Sequence, residues 1–447
     1  MFRIRPAFPG GLTLPPRERR TGELGIRQMP FAPMLYLPLR QGACAPAVAR
    51  VRAGEEVARG QLLARADDAM SVPLHSPATG RVVSIVEQPD PGGDTVRVIH
   101  LAPFPGDTQE YHGGPGWDPE CASAERLVDA IRAAGIVGQG GEAKPTHAGL
   151  RAPGRTGVGV LVLNGIEEEQ AFSRVPAVLR AQVAEVLMGV RYLLKAAGAP
   201  RAVLAVERQD GAAAQALLAA APPGLPLALR VLPARYPQGA EALLLRVLAD
   251  GALAGAGAWA NALCCNLVTV AELGRLLAQG LCMTDQVITL AGDALREPGN
   301  YRVPLGTPVR FALAQAGLQS EPCRVLQGGI MRGQALASLD APITKGMTGL
   351  VALGPSEAAM PEPPLPCIRC GECLAVCPMQ LHPAQLGLLA RRGELNLMNE
   401  EYHLDYCFEC GCCAYVCPSR IPLVQLFRAA KAQGRRQQRA AAGERVS

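Results

Sequence analysis

Apolar and polar positions change period several times along the chain, and each change predicts a different kind of element. From about 28 to 104, short runs are broken by turn residues. They include Val51-Arg-Ala-Gly54-Glu-Glu-Val57-Ala-Arg-Gly60-Gln61-Leu62 and Val72-Pro-Leu-His75-Ser-Pro77-Ala-Thr-Gly80-Arg-Val82. Such runs predict short strands. Beyond 120 a longer period sets in. Helices are expected over 124–134, 179–197 and 212–221, alternating with strands over 158–163, 202–206 and 227–232. A glycine-rich loop, Gly135-Ile-Val-Gly138-Gln-Gly140-Gly141, follows the first helix. Strand–helix alternation predicts a parallel sheet with crossover helices, which binds ligands at the carboxyl ends of its strands. Strands return at 287–292, 299–303 and 306–309, with a helix over 311–316, giving a small α+β module. Five prolines between Pro355 and Pro366 read as a linker, and 383–396 reads as helical.

Composition narrows the class. With 447 residues, 49% of them apolar, the chain can build several cores. Its net charge of +5 is carried by the segment from Arg428 onward, so the body is neutral. That argues against a nucleic-acid protein, which needs a basic face on the fold itself. The basic end reads as a solvated tail, with weak attraction to anionic lipid as the alternative. No apolar leader follows Met1. The uncharged stretch 251–271 holds Asn261 and Asn266 and reads as a buried segment, not a membrane span.

Fifteen cysteines change the picture, because nine lie between Cys367 and Cys417. Cys367-Ile-Arg-Cys370-Gly-Glu-Cys373-Leu-Ala-Val-Cys377-Pro378 is matched by Cys407-Phe-Glu-Cys410-Gly-Cys412-Cys413-Ala-Tyr-Val-Cys417-Pro418. Both follow the bacterial ferredoxin spacing, in which the fourth cysteine of each run ligates the other cluster. The expected sets are Cys367, Cys370, Cys373 and Cys417 for one [4Fe–4S] centre, and Cys407, Cys410, Cys413 and Cys377 for the second. Cys412 falls off the pattern and reads as a spectator. Zinc is the alternative, but two quartets in matching register, each closed by proline, favour iron–sulfur. Such centres carry single electrons. The six other cysteines (Cys44, Cys121, Cys264, Cys265, Cys282 and Cys323) read as buried, inert thiols.

The segment 51–82 resembles the barrel-sandwich of lipoyl and biotinyl carriers. Asp67-Asp68-Ala69-Met70-Ser71 occupies the tip where carriers modify a lysine, and 28–104 contains no lysine. A swinging-arm role is therefore excluded, and His75 reads as a packed residue. The order of pieces, with Arg235-Tyr236-Pro237-Gln238-Gly239-Ala-Glu241, Pro298-Gly299-Asn300 and Gln327-Gly328-Gly329-Ile-Met331, resembles the C subunits of Rnf (Rsx) ion-translocating electron-transport complexes. The resemblance runs from Gly10-Gly11 to about Arg428.

It implies a multidomain α/β and α+β chain. An arm (1–27) precedes a barrel-sandwich hybrid (28–104) and an α/β domain like the flavin-bearing component of complex I (120–283). A β-grasp (SLBB) module (284–336), a linker (337–366), a helical two-cluster ferredoxin domain (367–427) and a basic tail (428–447) follow. FMN and NADH would bind the α/β domain through Gly138, Gly140, Gly141, Asn164 and Glu167. The family's loop Gly-Gly-Ala-Gly-Phe-Pro appears here as Gly140-Gly141-Glu142-Ala143-Lys144-Pro145. Ala143 thus replaces a glycine, and Glu142 adds a charge that opposes phosphate unless Lys144 offsets it. Two readings follow: a flavin-bearing enzyme component that passes electrons between NADH or ferredoxin and the clusters, or a flavin-free conduit or scaffold. In either case the expected partners are the other Rnf subunits, on the cytoplasmic face of the inner membrane, with no membrane span in this chain.

Overall fold

The computed structural model describes residues 8–14, 25–89, 95–106, 109–111, 113–151, 157–250, 261–319, 324–355 and 363–441. They divide into two compact units, one of residues 17–233 and 253–358, the other of residues 1–16, 234–252 and 359–447.

In the larger unit, β1 (Ile26–Gln28) is followed by β2 (Leu35–Pro38), β3 (Val48–Ala49), β4 (Glu56–Val57), β5 (Leu62–Arg65), β6 (Leu74–His75), β7 (Gly80–Pro89) and β8 (Thr95–Pro103). Strands β2 to β8 form two antiparallel sheets, ordered β2-β8-β7-β4 and β3-β5-β6. Alternate side chains, among them Leu35, Leu37, Leu63, Val82, Ile99 and Leu101, close the core between them. His75 is buried on β6, as a packing residue.

The next module is a four-stranded sheet of β9 (Val160–Gly165), β10 (Ala202–Glu207), β11 (Leu227–Leu232) and β12 (Ala262–Asn266). All pairs are parallel, in the order β11-β10-β9-β12. The chain therefore reverses its direction of travel between β9 and β12, the kind of place where open α/β sheets bind ligands. The helix expected over 179–197 is two helices, Arg174–Ala181 and Val183–Ala197, broken at Gln182. Helix Val183–Ala197 packs on Leu267–Ala278 with Gly189 and Gly274 at the crossing. A Cβ on either would lie 1.9 Å from a backbone oxygen of the opposite helix, so only glycine permits this approach. Residues 251–260 of the uncharged stretch lie outside the described residues. The remainder is β12 and the largely buried start of Leu267–Ala278. No described helix is long and apolar enough to cross a membrane.

The third module is a six-stranded mixed sheet. It contains β13 (Asp285–Ala291), β14 (Gly299–Pro304), β15 (Arg324–Gln327), β16 (Gln334–Ala335) and β17 (Gly349–Leu353), with β1 at its edge. Three expectations change here. β1 leaves the N-terminal arm to pair in parallel with β14. Residues 349–353 are not linker, because fully buried β17 lies between β13 and β15. Residues 306–309 form a turn leading into helix Val309–Gln315 instead of a strand, since Gly306 sits at φ +84° and Pro308 precedes the helix start.

Charged groups tie these modules together. Glu272 of helix Leu267–Ala278 accepts from Arg275 and from Arg302 of β14, both at 2.6 Å, and Asp285 of β13 accepts from the same two arginines. Lys345 is fully buried, and its ammonium donates to Pro73 O (3.0 Å) and Gly135 O (2.7 Å). Burial pushes it down to about 8.

The smaller unit is a repeat at an offset of 40 residues. Arg369, Gly371 and Gln380 have positive φ, as do Glu409, Gly411 and Arg420. Single helical turns Glu372–Ala375 and Cys412–Tyr415 follow each glycine. Helices Pro383–Arg392 and Leu423–Ala441 pack through Leu386, Leu389, Leu423 and Phe427. Helix continues well past 428, so the expected tail is largely helical. Arg428 and Lys431 are not solvated charges, because both pair with Glu409 at 2.7 and 3.2 Å.

Candidate redox site

Each half of the repeat supplies three cysteines on a left-handed turn and a fourth at the end of its short helix. Two cavities result. One is lined by Cys367, Cys370, Cys373 and Cys417. The other is lined by Cys377, Cys407, Cys410, Cys412 and Cys413. The crosswise grouping expected from the spacing is thus the grouping that surrounds each cavity. Among the described residues, no three His, Cys, Asp or Glu side chains are placed to grip a single ion. The thiols line two separate cavities, an arrangement that two [4Fe–4S] clusters fit.

The two surroundings differ. Cys370 is exposed and Ile368 is 68% exposed at the first cavity, whereas Cys377, Cys410, Cys412 and Cys413 are buried at the second. Leu381 N–H donates to Cys377 Sγ at 3.3 Å, and Tyr236 donates its hydroxyl to Cys410 O. Burial pushes the Cys407 thiol up to about 11. Metal uptake therefore has to expel its proton.

The glycine loop lies at the switch point of the α/β sheet. Asn164, next to last in β9, pairs with Asn266 at the end of β12, whose side chain caps helix Leu267–Ala278 by accepting from Val268 N–H. Gln139 N–H donates to Thr269 Oγ1 at 2.8 Å, which ties the loop to the first turn of that helix. Gly138 N–H donates to Lys144 O, Gly140 has open space on its Cβ side, and Gly141 sits at φ +110°. Ala143 is left-handed at φ +54° and fully buried. A Cβ on Gly42 or Gly346 would collide with its methyl, so the methyl points into that seam. Glu142 and Lys144 pair at 2.6 Å. Both departures from the family loop are therefore accommodated. Nearby, Gln139 Oε1 and Arg174 Nε and Nη1 are buried without partners, while Arg174 Nη2 donates to Gln139 O at 2.5 Å. Leftover buried donors beside an open glycine loop fit an anionic, hydrogen-bonding group such as a flavin phosphate.

Other expected residues have different work. Glu167 Oε2 accepts from Val175 N–H at 3.0 Å, capping helix Arg174–Ala181, and Asn164 Oδ1 accepts from Ile166 N–H. Glu169 is buried in the Gly328–Gly329 turn, accepting from Ile330, Met331 and Arg332 N–H at 2.9, 3.1 and 2.9 Å. Glu168 pairs with Arg332. Glu167, Glu168 and Glu169 form one acidic run whose three side chains are all engaged within the fold. It joins the α/β sheet to the six-stranded sheet. Sequence reasoning missed Gln139, which lies inside the glycine-rich loop, and Arg174 and Lys345, which no motif marks. Of the six extra cysteines, Cys44 is buried as expected. Cys121 is exposed, Cys264, Cys265 and Cys282 are half-buried, and Cys323 lies outside the described residues.

Burial pushes Glu169 up to about 7, against the three N–H donors that favour its ionised form. Folding then tightens its proton. Its contribution to stability is full below about 4.5 and is lost as pH rises through about 7. Relative to Glu169→Gln, the wild type should lose on the order of 2 kcal/mol between pH 5 and 7.5, read from denaturant midpoints. An equal pH dependence in both would show that the carboxyl does not titrate there.

Fold and thiol cavities together define an iron–sulfur electron-transfer protein carrying a flavin-type α/β domain. Family models agree along the chain: the RnfC barrel sandwich hybrid domain over 6–103, the Nuo51 FMN-binding domain over 131–275, the SLBB domain over 287–329 and the 4Fe-4S dicluster domain over 366–421. The chain is 39% identical over 441 residues to the C subunit of an ion-translocating oxidoreductase complex of Pseudomonas aeruginosa, covering 96% of itself and 56% of that protein. It is 33% identical to the C subunit of the proton-translocating ferredoxin:NAD(+) oxidoreductase complex of Clostridium ljungdahlii, over 98% of itself and 95% of that protein. For the Na(+)-translocating counterpart in Acetobacterium woodii the identity is 32%, over 86% and 87%. This chain belongs to the family of C subunits of Rnf ion-translocating oxidoreductase complexes. It spans little more than half the length of the Pseudomonas relative.

Proposed function

We propose that this chain is a peripheral electron-transfer subunit of a membrane-bound, ion-translocating ferredoxin:NAD+ oxidoreductase. It would sit on the cytoplasmic face of the inner membrane, held by other Rnf-type subunits. Cys367, Cys370, Cys373 and Cys417 hold one [4Fe–4S] cluster, and Cys407, Cys410, Cys413 and Cys377 hold the other. The observation that carries this reading is the crosswise sorting of eight thiols around two separate cavities. The first cavity, where Cys370 and Ile368 are exposed, suits exchange with a redox partner, and the second, where Cys377, Cys410 and Cys413 are buried, suits holding an electron away from water.

Gly138, Gly140, Gly141 and the unpaired guanidinium N–H groups of Arg174 would hold FMN, with NADH meeting it at the carboxyl ends of β9 and β12. When bound, FMN supplies the exchange between two-electron and one-electron carriers. The chain's own part is to present backbone N–H groups and the Arg174 charge to the phosphate. Asn164 and Glu167 act by fixing the turn that follows β9. The flavin-free conduit remains the second reading, and the buried, averted methyl of Ala143 favours the first.

Flavin released from anaerobically purified protein, together with NADH-driven bleaching of the iron–sulfur absorbance, tests this choice. Stoichiometric FMN with bleaching is expected. Its absence from a cluster-loaded sample leaves the conduit. Gly141→Val forces a β-branched residue to φ +110°. Flavin content should fall to a small fraction of wild type, with iron content unchanged.

A further inference from the structure

We propose that Cys412 is a reserve ligand of the second centre, able to take the iron corner that Cys410 holds. The inference rests on the assignment of Cys377, Cys407, Cys410 and Cys413 to one cluster. The internal repeat provides its own comparison. Position 412 corresponds to Glu372, and the main chain is alike at both: Gly371 and Gly411 have φ of +83° and +87°, and a single helical turn follows each. Glu372 is exposed and does not line the first cavity. Cys412 is completely buried and lines the second cavity with the four expected ligands. Five thiols therefore surround a centre that uses four, and the fifth sits in the same turn as Cys410, with only Gly411 between them.

Exchange needs no oxidant. As the bond from iron to Cys410 breaks and that to Cys412 forms, the proton of the Cys412 thiol passes to the departing Cys410 sulfur. No electron moves. Only Gly411 separates the two cysteines, so the turn there has only a short path to adjust. The first centre has no such recourse, because Glu372 is its counterpart.

The test compares full-length chains, purified anaerobically, by iron content and by electron paramagnetic resonance of the reduced clusters. Wild type should hold about eight irons. Cys370→Ala should fall to about half, with the first centre's signal lost. Cys410→Ala should keep about the wild-type iron with an altered second signal, and Cys410→Ala/Cys412→Ala should fall to about half. Cys412→Ala alone should keep its iron. Cys410→Ala falling to the level of Cys370→Ala overturns the reserve role while leaving the two-cluster reading intact. Loss of iron from Cys412→Ala also overturns it, by making Cys412 a primary ligand. Wild type far short of eight irons sinks the cluster reading itself. Should Cys410→Ala not fold, Cys410→Ser keeps the bulk and is read by Mössbauer spectroscopy. All-sulfur ligation that disappears on adding Cys412→Ala supports the proposal, and serine-oxygen ligation or loss of the second centre in Cys410→Ser overturns it.

Discussion

Replacing Cys377 by alanine is expected to remove about half of the iron, and to remove it from the centre whose other ligands lie in the second cysteine run. By position in the chain Cys377 belongs with Cys367, Cys370 and Cys373. In space it lines the cavity of Cys407, Cys410 and Cys413. A cluster that loses one thiolate exposes an iron corner, and at a buried site no water supply replaces the charge. Cys412 shares the Gly411 turn with Cys410, so its reserve role is assigned to the Cys410 corner and none is expected for Cys377. Cys417→Ala should produce the complementary loss, sparing the second centre. Iron assay and reductive titration followed by paramagnetic resonance distinguish the two. Loss of the first centre's signal in Cys377→Ala would falsify the crosswise assignment.

Glu272→Ala should be the most damaging substitution in the larger unit outside its apolar cores. Glu272 is fully buried, accepting from Arg275 Nη2 and Arg302 Nη2 at 2.6 Å each. Burial alone would raise its pKa, but the two guanidinium groups outweigh that and hold it down at about 2. Removing the carboxylate leaves two arginines, each 12–15% exposed, sharing Asp285. Breaking one partner out of a buried ion network typically costs about 3–5 kcal/mol, because the remaining charges stay desolvated. The loss should appear as a lower denaturant midpoint, with iron content unchanged because the cysteines belong to the other unit. The depressed carboxyl stabilises the fold above its unfolded value near 4.5, and that contribution is lost as pH falls towards 2. The gap between wild type and Glu272→Ala should therefore narrow in acid. A gap that stays constant from pH 7 to pH 3 would show that Glu272 is not held ionised by its arginines.

How much of this was legible in the residues follows a physical line. Local chemistry is written locally. Cysteine spacing fixes which sulfurs a short turn can present, so the thiols that line each cavity could be grouped from the chain, and the strand–helix alternation sufficed for a parallel sheet. Apolar runs also placed most helices and strands, because burial on one face imposes its own period. What the sequence left open depends on partners distant in the chain. Ala143 looked like an obstacle in the glycine loop. Its harmlessness depends on Gly42 and Gly346, 101 residues before it and 203 after it, which make room for its methyl. Glu167 and Glu169 looked alike in sequence, yet one caps a helix and the other fills a turn of the neighbouring sheet. β17 read as linker because a short apolar run shows nothing of the strands on either side of it. Arg174 and Lys345 carry no motif at all, since a buried charge is defined by what surrounds it. Thiol spacing, periodicity and composition settled the class of this protein. The tertiary structure decided which glycines, carboxylates and cations are free to act, because burial and hydrogen bonding belong to neighbourhoods that only folding assembles.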